Sequence, residues 1–95
     1  MPLSAEERGL LDKQIDEATK SAPAAVKGFR VLKHKYHFKE VNDAVYGFIL
    51  GAIVGSFNQW MSDRSKEVTD EIDAEIKEIL FNRSAEIRDA IFKAG

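Results

Sequence analysis

The chain has 95 residues, 44% hydrophobic and 32% charged, with a formal net charge of -2 and no cysteine. This length favours one domain, residues 1–95, with a small core, and the balance of apolar and charged residues excludes wholesale disorder. The lack of cysteine excludes disulfides, thiolate metal sites and cysteine nucleophiles. Because the acidic N-terminal stretch lacks the features of a secretory signal, we expect a cytoplasmic protein.

The first predicted helix spans residues 5–20. Ser4 stands three residues before Glu7, which is the spacing of a capping box at a helix start. The apolar face of this helix recurs at spacings of four and three: Leu11, Ile15 and Ala18. The pattern is interrupted at 21–23, and because proline is best tolerated in the first turn of a new helix, the sequence predicts a turn there.

A basic element, residues 23–39, follows this turn. From 18 to 39 the chain has six lysines and arginines and no acidic residue. Its apolar residues Phe29, Leu32 and Tyr36 fit one face of a helix, although Leu32, Tyr36 and Phe38 would also share one side of a strand; we prefer the helix. The candidate anion-binding residues of this element are Lys27, Arg30, Lys33, His34, Lys35, His37 and Lys39.

These cations, interleaved with aromatic residues, fit two kinds of anionic partner. They could meet the phosphates of a nucleic acid while the aromatic rings stack on bases, or they could contact anionic lipid headgroups. His34 and His37 share a helical face but supply only two ligands, so we expect no metal site.

The third predicted helix, residues 40–61, is free of charge from 44 onward, and its central part, 45–55, is apolar on every side. We therefore expect it to be buried. Gly47, Gly51 and Gly55 stand four apart and form one side-chain-free groove on a helix, which lets a second helix backbone approach closely. That second helix is expected to come from the same chain or from a second copy.

The same segment has a membrane alternative. A spanning helix needs about 20 mainly apolar residues, whereas extension beyond Gly55 adds the amides of Asn58 and Gln59. We therefore prefer a core helix in a bundle. In the alternative, Tyr46 and Trp60 would lie near the two interfaces and the basic element would be a cytoplasmic flank. This layout is similar in outline, over about half of the chain, to small bacterial proteins of the YtxH type.

The last predicted helix, residues 65–93, is amphipathic and follows a bend or short break at 62–65. Its apolar positions drift away from a strict heptad, which favours bundle packing over a long coiled coil. The candidate packing residues of its stripe are Ile72, Ile76, Ile79, Leu80, Ile87 and Ile91.

Together these elements predict an all-α fold: a small three- or four-helix bundle with a buried glycine-spaced central helix, completed by other copies of the chain. The leading functional hypothesis is a non-enzymatic structural or scaffolding protein that self-assembles or packs against another helical protein. A single-span or membrane-surface protein is the first alternative, and a nucleic-acid-binding module is the second. We expect no catalytic residues, cofactor or small-molecule substrate, because no nucleophile with a base and no phosphate-cradling loop stands in the sequence.

Overall fold

The computed structural model of the protein describes residues 3–37 and 39–94. Within these ranges it has three helices and no strand: α1 (Ala5–Tyr36), α2 (Val41–Asp63) and α3 (Asp70–Ala94). The prediction of an all-α fold, arranged as a small helical bundle, is confirmed. α1 packs on both other helices, which contact each other less extensively. The bundle measures 43 × 23 × 18 Å.

The start of α1 forms the expected capping box. The Ser4 hydroxyl accepts a hydrogen bond from the Glu7 N–H at 3.1 Å, and the Glu7 carboxylate accepts one from the Ser4 N–H at 2.7 Å. Two of the amides that lack partners at a helix start are thus satisfied, which fixes where α1 begins.

The predicted turn at 21–23 is wrong, because α1 continues through Pro23 to Tyr36. Ala22 and Val26, on either side of the proline, are both fully buried. Their burial extends the apolar row of the first half of α1 and offsets the roughly 3 kcal/mol that proline costs in a helix interior. The predicted separate elements 5–20 and 23–39 are therefore one helix. This helix ends at Tyr36 and is capped by His37 in the left-handed conformation. Phe38 lies outside the described residues.

The core lies between the three helices and is built from rows of residues that recur mostly every fourth position. α2 supplies one such row, of which Phe57 and Met61 are fully buried. The buried apolar residues are Leu3, Leu11, Ile15, Ala22, Val26, Val45, Ile49, Ile53, Phe57, Met61, Ile72, Ile76, Leu80, Ile87 and Ile91.

α2 and α3 are separate helices, joined by residues 64–69. Thr69 Oγ1 accepts a hydrogen bond from the Ile72 N–H at 3.2 Å and so caps the start of α3. α3 begins at Asp70, five residues after the predicted start at position 65, because Thr69 supplies the capping side chain. The connection returns the chain to the end of the bundle where α1 begins.

Candidate helix-packing face and anion-binding surface

The three glycines of α2 lie on its exposed side. Within one copy α2 is not buried all round: one row of α2 is in the core, and Gly47, Gly51 and Gly55 face outward. The prediction that other copies of the chain complete its burial stays a prediction. A Cβ atom built on any of the three would have no atom within 4 Å other than those of the adjoining residues and turns of α2 itself. No other helix of the described chain therefore packs on these glycines.

We call the three glycines, together with the exposed Phe48, Ala52 and Ser56 beside them, the glycine face. Every residue of α2 from Ala44 to Ser62 is uncharged, so this face carries no charge along most of the helix. At 1.5 Å per residue, the uncharged stretch is about 28 Å long.

A groove runs along each side of the glycine face. The groove between α2 and α3 has a volume of about 730 Å³, and Tyr46, Leu50 and Val54 form its α2 wall. Its α3 wall includes Phe81, which is 78% exposed. The groove between α1 and α2 has a volume of about 370 Å³ and is bordered by Phe48, which is 56% exposed and lies 5.2 Å, ring to ring, from Phe29.

The apolar stripe of α3 lies in the core, whereas the glycine face is exposed. Ile72, Ile76, Leu80, Ile87 and Ile91 are buried, and Ile79 is partly buried against them. These candidate packing residues hold α3 on α1 and α2 of the same chain. The surface left for another helix is therefore the glycine face and the two grooves beside it.

The candidate anion-binding residues lie together at the C-terminal end of α1 and in the loop that follows. All seven of them are exposed: Lys27, Arg30, Lys33, His34, Lys35, His37 and Lys39. We call residues 27–39 the basic end. Arg30 Nη2 lies 3.5 Å from the carbonyl oxygen of Ala94, the last residue of α3. The part of α1 after Arg30 thus extends past the end of α3.

The cations of the basic end have no carboxylate partner among residues 3–37 and 39–94. The ion pairs in these ranges join groups elsewhere, notably Arg8 with Glu75 at 2.9 Å, Lys66 with Glu7, and Arg83 with Asp16 and Glu86. The hydrogen bonds that Arg83 donates to the carboxylates of Glu86 and Asp16 raise the pKa of Arg83 above its ordinary value. The basic end therefore keeps its charge available to an external anion.

A metal-binding cluster and a membrane-spanning helix are both absent from the described residues. In the described part of the chain, no three His, Asp or Glu side chains are grouped so that they could hold a metal ion. No helix among the residues with a described structure combines the length and apolar character needed to cross a membrane.

The sequence did not predict that these apolar side chains are exposed: Val31, Phe48, Phe81 and Phe92. For Phe81 a signal existed, since it lies outside the isoleucine stripe of α3 and is followed by Asn82 and Arg83. Phe48 had none, because every neighbour in its segment is apolar as well.

In comparisons with known proteins, no protein-family model, no curated protein and no solved structure matches this chain. The outline similarity to YtxH-type proteins thus gains no support, and function has to be argued from the surfaces described above.

Proposed function

We propose that the protein is a non-enzymatic, cytoplasmic structural protein that assembles with a second copy of itself through the glycine face of α2. The observation that carries this proposal is the position of Gly47, Gly51 and Gly55: they form an exposed row with open space around each of them.

Glycine in a helix interior costs about 1 kcal/mol relative to alanine. Within one copy nothing offsets this cost at the three positions, because no atom lies where their Cβ atoms would be. A second helix that crosses close to this row would gain backbone and side-chain contacts that alanine or leucine would prevent.

A second copy is the partner that fits the absence of charge on this surface. The glycine face is uncharged from Ala44 to Ser62, so two such faces can be buried against each other without desolvating a charge. The same pairing covers Phe48 and Phe81, which are large aromatic side chains of the kind that anchor interfaces. A two-fold axis through the face makes the contact closed and self-complementary.

The proposal assigns no catalytic step to this surface. Lys77, Ser84 and Arg88 border the groove between α2 and α3, and the ammonium of Lys77 is paired with Asp73 at 2.8 Å. The apolar walls of this groove suit the side chains of a packed helix.

The test compares the mass in solution of the wild-type chain with that of two leucine variants, by size-exclusion chromatography with light scattering. We expect wild type at twice the 10.7 kDa mass of one chain. Gly51→Leu should have the mass of one chain, yet stay folded, because the new side chain meets open space within the monomer.

The matched control is Gly9→Leu, which makes the same change at an exposed glycine of α1 that also has nothing within 4 Å. It should keep the wild-type mass. A wild-type chain of single mass, or a Gly51→Leu variant with the wild-type mass and stability, would contradict the proposal.

A further inference from the structure

The C-terminal end of α1 projects from the bundle. Every residue from Arg30 to His37 is exposed, whereas α1 is regularly buried on one side from Leu11 to Val26. The last residue of α3, Ala94, reaches only to the level of Arg30. The start of α2 lies beside Arg30 and Lys33, and the outer face of the last two turns of α1 is left uncovered by the bundle.

These two turns carry apolar side chains as well as charge. Val31 is 77% exposed, Leu32 is 37% exposed and Tyr36 is 56% exposed. Leu32 and Tyr36 are four residues apart and share one face of the helix. Phe92, in the last turn of α3 at the same end of the bundle, adds a further exposed ring.

The charge around these apolar residues is positive and unpaired. Lys27, Arg30, Lys33, Lys35 and Lys39 form no ion pair with a described residue, and the acidic group that borders them is Glu40. No acidic residue occurs between positions 18 and 39. An anion that meets this end therefore finds several cations and little repulsion.

We propose that the basic end is a docking element for an anionic lipid bilayer surface. Lysine and arginine side chains reach headgroup phosphates while the apolar side chains between them enter the upper acyl region, as in helices that lie at a membrane interface.

Two observations favour lipid over nucleic acid. Val31 and Leu32 are aliphatic, so they add to insertion into lipid but offer no ring on which a base could stack. The exposed phenol ring of Tyr36 already has the Lys35 ammonium 5.8 Å from its centroid. The combination of exposed aliphatic side chains and cations matches the chemistry of an interface between lipid and water.

The test is sedimentation of the full chain with phosphatidylcholine vesicles that contain or lack phosphatidylserine. We expect binding only to the anionic vesicles, with a strong decrease as salt rises. Replacement of two cations in Lys33→Gln/Lys35→Gln should lower partitioning about 25-fold, since each basic residue near such a surface contributes about fivefold.

The decisive variant is Val31→Ser/Leu32→Ser, which removes apolar surface and leaves every charge in place. It should bind anionic vesicles at least about fivefold more weakly while its binding to single-stranded DNA is unchanged. The matched control, Lys13→Gln/Lys20→Gln, removes two exposed cations outside the basic end and should bind vesicles within about twofold of wild type.

Circular dichroism of each variant, with wild-type helicity expected, separates lost binding from lost folding. Absence of wild-type binding to anionic vesicles would overturn the proposal. Unchanged binding of the folded serine variant would also overturn it, and tighter binding to single-stranded DNA than to vesicles would assign the basic end to nucleic acid.

Discussion

Glu7 is the one charged residue that is buried in the described parts of the chain. Its carboxylate accepts hydrogen bonds from the Lys66 ammonium and from the Ser4 N–H, so it links the start of α1 to the connection between α2 and α3. The bond from Lys66, followed by that from the Ser4 backbone, holds the pKa of Glu7 below its ordinary value. Local sequence predicts the bond to Ser4, three residues away, but contains no signal for Lys66.

Replacing Glu7 by glutamine tests this link, because Gln keeps the shape and the acceptor of the capping box and removes the charge. We expect the free energy of unfolding at neutral pH to fall by about 1 kcal/mol. Since the pKa of Glu7 is lowered in the folded state, its stabilisation is present above the unfolded-state pKa of about 4.3 and is lost as pH falls through the folded-state value.

The difference between wild type and Glu7→Gln should therefore shrink on acidification. Urea unfolding at a fixed chain concentration and several pH values measures it. Glu6→Gln is the control, because the Glu6 side chain is 70% exposed and pairs with Arg64 at 3.5 Å. A Glu7→Gln difference that persists below the folded-state pKa would show that the charge is not its cause.

At the scale of a helix, Pro23 is where tertiary packing overrides local preference. A proline leaves the Thr19 carbonyl without its usual N–H donor four residues on. We expect Pro23→Ala to restore that bond and raise the free energy of unfolding by about 1–3 kcal/mol. Pro23→Gly restores the same donor but should gain about 1 kcal/mol less, because glycine is a poorer helix former.

Urea unfolding measures the free energy of unfolding of each variant. If its slope against urea concentration is unchanged, the gain in stability of Pro23→Ala belongs to the folded helix. A loss of stability in Pro23→Ala would instead indicate that the proline is accommodated by a local geometry which alanine does not share.

The same scale marks what the sequence could predict. Capping at Ser4, the isoleucine stripe of α3 and the break before it depend on neighbours in the chain, and these were predictable. The continuation of α1 through Pro23 was not, because it depends on the burial of Ala22 and Val26 against the other helices. The orientation of α2 could not be predicted, because a segment that is apolar on every side has no preferred face. Packing against α1 and α3 decides that Ile53 is buried and Gly51 exposed.

Over the whole molecule, charge is separated between the two ends of the 43 Å bundle. The basic end lies at one extreme. At the other, residues 63–78 carry seven acidic and three basic side chains, and Glu6 and Glu7 lie beside them through their pairs with Arg64 and Lys66. Each copy is thus positive at one end and negative at the other.

This separation predicts how two copies pair through the glycine face. An antiparallel arrangement places the basic end of each copy beside the acidic end of its partner, whereas a parallel one places like charges together. We therefore expect α2 of one copy to run antiparallel to α2 of the other, centred on Gly51.

Because the chain has no cysteine, a single spin label at Gln59→Cys, an exposed position of α2, measures the orientation directly. In the antiparallel dimer the two labels are about 24 Å apart along the helix axis, and in a parallel dimer they lie about 10 Å apart, side by side. We expect the longer distance by pulsed electron resonance and its loss when Gly51→Leu is added. Strong line broadening from labels in close proximity would instead mean that glycine packing outweighs the repulsion between like ends.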